Sequence, residues 1–253
     1  MSAKSKALVK FLSEGGEGQR VALSPVEQIG GVHYTWIAEG LDGESKPLQS
    51  LFLASLPEEM AQPLAKWLPE GNLSLSNSVR NFLLVGLIQR LFPRGVLPVA
   101  CLPSSPLTPL LKLSKRTTVR LVGLLGLHDL ALEMRQTLDK RAILKIQQLL
   151  TPMQRAVLER CMRGQDILPA SAYGLEKWGA GSHQLQMIAE KQGLMRLGKA
   201  LANEERSLLW HLAHKLDTGR GKLLIHYGTG DVSSTISKRL TGQILELVQE
   251  LGE

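Results

Sequence analysis

Thr151-Pro152-Met153-Gln154-Arg155-Ala156-Val157-Leu158-Glu159-Arg160-Cys161-Met162-Arg163-Gly164 carries a complete set of helix signals. The threonine hydroxyl can accept from a backbone N–H that has no partner in the first turn. Proline at the first position loses no hydrogen bond, and glutamine three residues after the cap can reach back to the cap's own N–H. The spacing predicts a helix over Pro152–Arg163, ending at Gly164.

The same reading extends in both directions. Upstream lie Ser114–Leu138 and then Lys140–Leu150, the latter behind an Asp139 cap. Ser114–Leu138 holds the apolar run Val119–Leu132, relieved by Gly123, Gly126, His128 and Asp129. Glycine there costs helix stability but lets a neighbouring helix come close. Downstream, a loop with Pro169, Gly174, Gly179 and Gly181 leads to two helices, Ser182–Gln192 and Leu194–Ala202. Asn203-Glu204-Glu205-Arg206 opens another through Leu216, and Asp217-Thr218-Gly219 breaks it. The last helix, Val232–Leu251, sets Ile236, Leu240, Ile244, Leu247, Val248 and Leu251 on one stripe, which either closes the core or docks on a partner.

The first half is less regular. Met1–Leu12 is a short amphipathic stretch running into a glycine linker, and Val21–Ala38 carries strand-like content, with Val32, Tyr34, Trp36 and Ile37 among glycines. Helical spacing begins at Leu48, with Ser55-Leu56-Pro57-Glu58 reading as a capping box and Ser76–Phe92 as a further helix. Five prolines fall within Pro93–Pro109, which reads as a linker. The expected organisation is an irregular segment over 1–47, a helical hairpin unit over 48–92, the linker over 93–109 and a helical domain over 110–253. The fold class is all-α, an irregular multi-helix bundle or an armadillo-like stack, with a small irregular or β-containing N-terminal segment.

Composition agrees with helix. Aromatics are 4% of the 253 residues, and leucine, which loses little rotamer freedom in a helix, carries the apolar content. Two cysteines, Cys101 and Cys161, make neither a metal spacing nor a disulfide framework. No apolar core follows the lysines of Met1–Lys10, and Phe82–Leu102 is interrupted by Arg90, Pro93, Arg94 and Pro98, so the chain reads as cytosolic and soluble.

The net charge of +7 sits in one place. Lys112–Arg163 holds eleven bases and four acids, so the remainder is formally neutral. Such a segment suits an acidic protein, nucleic acid or a membrane surface, against the plainer reading of a solvated helix face. Lys115, Arg116, Arg120, Arg135, Lys140, Arg141 and Lys145 are the candidate partner-binding residues.

Catalytic patterns are weak. Thr218-Gly219-Arg220-Gly221-Lys222 lacks the first glycine of the phosphate-loop fingerprint, and Leu223 stands where its hydroxyl belongs, so a helix-ending turn is the better reading. His211 and His214 share a helix face without a third metal ligand at helical spacing. His128-Asp129 has no reactive serine or cysteine beside it. The chain reads as a non-enzyme with no catalytic, metal or cofactor residues. Nucleic acid is the alternative partner: Pro152–Arg163 imitates the second helix of a helix-turn-helix, but no aromatics interleave with the bases for stacking.

Val122-Gly123-Leu124-Leu125-Gly126-Leu127-His128-Asp129-Leu130-Ala131-Leu132-Glu133-Met134-Arg135, continued by Leu138-Asp139-Lys140-Arg141 and Lys145–Leu149, resembles the SctK family (YscK, OrgA, MxiK) of type III secretion accessory proteins. Gly193–Leu201 and Leu209–Leu216 resemble that family's C-terminal helices, and Leu56-Pro57-Glu58-Glu59-Met60-Ala61 is similar to the helical repeats of the flagellar switch protein FliG. The likeness covers about residues 110–216 and leaves Val21–Gly40 unexplained. It implies a cytoplasmic adaptor of the bacterial sorting platform, acting in protein transport at the cytoplasmic face of the inner membrane. Its partners would be the inner-membrane ring protein SctD and the pod protein SctQ, with SctL as a further neighbour, and it would meet the membrane only through them.

Overall fold

The computed structural model describes residues 24–69, 73–136, 140–164 and 181–252. These residues form twelve α-helices, two short 3-10 turns (Val99–Cys101 and Thr108–Lys112) and no strand. The fold is all-α. It divides into two compact units, Met1–Ser104 with Glu205–Gly221, and Ser105–Glu204 with Lys222–Glu253. Glu205–Gly221, which the sequence reading places in the 110–253 domain, thus groups with the first unit.

The first unit contains α1 (Pro25–Gly30), α2 (Tyr34–Leu41), α3 (Lys46–Ser55), α4 (Glu58–Leu64) and α5 (Asn77–Leu91), joined by α10 (Arg206–Lys215) from later in the chain. The strand-like segment is helical here. Ser24 caps α1 in a reciprocal pair with Glu27, Pro25 occupies the first turn, and the glycines at 30 and 31 separate α1 from α2. Ile29 of α1, Val32 of the link and Trp36, Ile37 and Leu41 of α2 are all buried; Ile37 and Leu41 are four apart with Trp36 beside them, so the apparent alternation of Val32, Tyr34 and Trp36 is that of a link running into a helix. The part of that expectation that falls on 1–23 lies outside the described residues.

Ser55 does not start a helix. It ends α3, its hydroxyl donating to the Phe52 carbonyl at 2.7 Å, and α4 begins after Pro57 without a side-chain cap. Ser76 does cap α5, accepting from Val79 N–H. α5 lies against α1, α2 and α3 and turns Leu83, Leu84, Leu87 and Leu91 into the core of this unit. In the proline-rich stretch, α10 holds Leu97 by both backbone groups: the Ser207 hydroxyl accepts from its N–H at 3.0 Å, and His211 Nε2 bonds its carbonyl at 2.8 Å.

The second unit is built on α6 (Lys115–Gln136) and α9 (Ser182–Leu201), with α12 (Ser234–Glu250) packed on both, α8 (Pro152–Arg163) packed on α6, and α7 (Lys140–Leu149) preceding α8 in the chain. α8 has the predicted bounds and the predicted reciprocal Thr151–Gln154 cap. The expected Asp139 cap of α7 lies outside the described residues.

α9 is one unbroken helix, not two, and the reason is tertiary. A Cβ on Gly193 would sit 1.8 Å from the Val122 carbonyl oxygen of α6, and one on Gly126 would sit 1.9 Å from the Ala189 carbonyl oxygen of α9. The two helices cross with backbone against backbone at these glycines, so Gly193 marks an approach and not an end. Leu121, Val122, Leu125, Leu194 and Leu197 pack beside the crossing at no more than 1% exposure, each contributing about 1.5–3 kcal/mol of burial free energy. The stripe on α12 closes this core, with Leu240, Ile244, Leu247 and Val248 buried, and Ser237 donates to the Ala200 carbonyl at 2.8 Å.

Thr218–Gly228 forms α11, so the glycine-rich Thr218–Lys222 begins a helix where the sequence suggested the end of one. Asp217 caps it, its Oδ1 accepting from Arg220 N–H at 3.1 Å and its Oδ2 pairing with the Arg220 guanidinium at 2.7 Å. Burial works against ionisation of Asp217, but the Arg220 hydrogen bonds and charge outweigh it and hold the carboxyl below its ordinary range.

Candidate partner-binding surface

All eleven bases of Lys112–Arg163 are exposed. One of the four acids in the segment, Asp129, is buried, so the surface charge there exceeds the formal sum. α6 separates the predicted residues into two groups. Lys115, Arg116 and Arg120 stand on its first turns, and Arg135 lies 20 residues beyond Lys115, about 30 Å away at 1.5 Å per residue. Arg135, Lys140, Arg141 and Lys145 form the second group, at the end of α6 and along α7.

The bases differ in what they do. Arg135 donates to the carbonyls of Cys161 and Gly164, satisfying the C-terminal end of α8, so it is part of the scaffold. Arg120 reaches the Met153 sulfur at 2.6 Å. Neighbouring protein around the Lys115 ammonium lowers its pKa by desolvation. Beyond the seven, Arg155 is tethered through Nε to the Leu150 carbonyl at 3.0 Å, and Arg160 pairs with Glu250. Arg163 is 83% exposed on its side chain, with Glu159 at 3.9 Å.

Beside the second group lies a groove of about 250 Å³ that sequence reasoning missed, lined by Met134, Ile143, Gln147, Arg155, Leu158, Glu159, Met162 and Arg163. Met134 and Leu158 are buried at its base, Ile143 and Met162 are partly open, and no lining residue is aromatic. Next to it α7 exposes Leu144 at 59% among its bases.

The polar interior lies elsewhere in this unit. Arg196 donates from Nε to Asp129 Oδ2 at 2.7 Å and from Nη2 to Asp129 Oδ1 at 3.0 Å, and its Nη1 reaches Gln243 at 2.9 Å. Both partners of this two-pronged pair are at most 3% exposed. Asp129 is thus one half of a buried ion pair. The pair lies at the back of a second cavity, about 190 Å³, bounded also by Met195, Lys199, Val232 and Ile236.

His211 and His214 belong to an aromatic cluster in the first unit. The His214 ring stacks between Trp36, with centroids 4.1 Å apart, and Trp210, at 3.8 Å, and its Nδ1 bonds the Trp210 carbonyl. Because a carbonyl only accepts, that nitrogen carries the proton. Burial pushes the His214 pKa down from 6.5 to about 4, and burial lowers that of His211 too. A folded-state pKa below the unfolded value makes protonation favour unfolding. The stability is therefore fully present above about pH 6.5 and lost as the pH falls from there toward 4. The expected loss between pH 7.5 and pH 5 is about 2 kcal/mol. Urea titrations at the two pH values measure it, and His214→Phe should shrink the difference; an unchanged difference would place its source elsewhere.

Among the described residues, no group of three or more His, Cys, Asp or Glu side chains is arranged to hold a metal ion, and no helix is long and apolar enough to cross a membrane. No family model, curated protein or solved structure matches the chain.

Proposed function

We propose that the chain is a non-enzymatic helical adaptor that binds an acidic protein surface through α7 and α8, and that its setting is a bacterial type III secretion sorting platform. The observation that carries the protein-binding reading is the pairing of two exposed bases, Arg155 and Arg163, with the apolar, non-aromatic groove that they help to line. A nucleic-acid surface needs bases for phosphates, but it gains nothing from a floor of methionine and leucine, and single strands stack on aromatics that this face lacks. Protein partners use both features, charge for steering and an apolar recess for a buried anchor. The secretion setting rests on the likeness of residues 110–216 to the SctK family. It would make SctD and SctQ the bridged partners.

The test is an affinity pull-down from native cytosolic extract, with and without nuclease, read by mass spectrometry against the double variant Arg141→Glu/Lys145→Glu. Arg135 is left in place because of its role at the end of α8. Nuclease-resistant recovery of ring or pod proteins, reduced about tenfold by the variant at unchanged helicity, is the expected result. Recovery that disappears with nuclease would replace this reading by nucleic-acid binding.

A further inference from the structure

The walls of the groove define the shape and charge of what fits it. Arg155, Glu159 and Arg163 are spaced four residues apart on α8, a row about 12 Å long at 1.5 Å per residue, with Leu158 and Met162 beside them. Ile143 and Gln147, one turn apart on α7, make the facing wall, and Met134 of α6 closes the base. Bases therefore stand at both ends of the row and an acid at its middle.

Volume narrows the class of ligand. About 250 Å³ lies below the range of roughly 300–1,000 Å³ usual for small-molecule sites and matches one or two large apolar side chains. Methionines at the base and the lip adapt to differently shaped side chains. The charged side chains that line it are two bases, Arg155 and Arg163, and one acid, Glu159, all exposed.

Deepening the protein-binding reading above and resting on it, we propose that this groove receives an amphipathic helix of the partner. One large apolar side chain enters between Ile143, Leu158 and Met162, and acidic side chains four residues to either side of it meet Arg155 and Arg163. Glu159 at the middle of the row sets the register, because an acid placed there would face a like charge. The recognition is of the helix-in-groove kind, in which one stripe of a helix supplies anchor and flanking charges together.

The probe is an 18-residue helix-stabilised peptide with a central leucine and glutamates four residues before and after it, titrated into the full chain by fluorescence anisotropy. Saturable binding is expected. It should weaken about tenfold when the peptide's leucine becomes alanine, and about tenfold for Arg155→Glu/Arg163→Glu. Met162→Glu, at a partly open position that leaves the core intact, should abolish it without changing the far-UV circular dichroism. No saturable binding overturns the proposal. So does affinity that ignores both the anchor and Met162→Glu, and so does a dimer in sedimentation that Met162→Glu dissociates, which would assign the groove to a second copy. The two readings separate through the pull-down. If Met162→Glu leaves recovery of a nuclease-resistant partner unchanged while Arg141→Glu/Lys145→Glu reduces it, the groove assignment fails and the basic adaptor surface stands. If neither variant affects recovery, both fail.

Discussion

Asp129→Ala should lower the stability of the second unit by about 3–5 kcal/mol, because it leaves the Arg196 guanidinium charged with its side chain only 3% exposed. Arg196 is held there by two hydrogen bonds to Asp129 and one to Gln243, on helices α6, α9 and α12. Removing the carboxylate takes away two of these three hydrogen bonds and the acid that accepts them. Arg196→Met should cost a similar amount by stranding the carboxylate. The double replacement Asp129→Leu/Arg196→Met should recover most of the loss, since an apolar pair of similar volume needs no compensating charge. Urea denaturation followed by circular dichroism, arranged as a double-mutant cycle, reads the coupling. A single-variant loss below about 1 kcal/mol would show that the pair contributes little to holding the three helices together.

The crossing of α6 and α9 gives the second large effect. Gly193→Ala places a methyl carbon 1.8 Å from a backbone oxygen, and no side-chain rotation can relieve a contact with a main chain. The helices must separate, and the buried leucines beside the crossing lose contact with them. A loss of about 3 kcal/mol or more is expected, at the upper end of overpacking costs. Gly123→Ala, on α6 one turn before Gly126 but with no atom within 4 Å of its added Cβ, should instead stabilise the protein by about 0.5–1 kcal/mol through helix propensity. Thermal or urea unfolding of the two variants side by side tests the assignment; similar effects from both would contradict the close crossing.

These contrasts show what the sequence made legible and what it did not. α8 was readable to the residue because its signals are local: a cap, a proline and a glutamine within four positions. α2 is hard to read because three apolar residues at alternate positions imitate a strand when two glycines stand beside them, and the burial of Trp36, Ile37 and Leu41 on one face separates the patterns. Gly193 was read as a break because a glycine inside a helix looks the same whether it terminates the helix or admits a neighbour. The Asp129–Arg196 pair spans 67 residues of sequence. A lone acid within the apolar run Val119–Leu132 was its one visible sign. At the candidate surface, charge was legible because it is a property of composition. The groove was not, because its apolar lining comes from three helices and is half-open only as a result of how they pack. Arg135, read from sequence only as a base for a partner, also completes a neighbouring helix end.

The first unit draws α10 from Glu205–Gly221, about a hundred residues after the end of its main segment at Ser104. On a ribosome adding about 5–20 residues per second, the nascent N-terminal helices wait roughly 5–20 s for Trp210 and His214 to emerge and cover Trp36. During that interval the indole and the leucines around it are open to chaperones, and a fragment cut after Ser104 would never leave this state. Expression of such a fragment is therefore expected to give aggregate or chaperone-bound protein, while the order of synthesis lets the intervening helices fold before the N-terminal unit is complete.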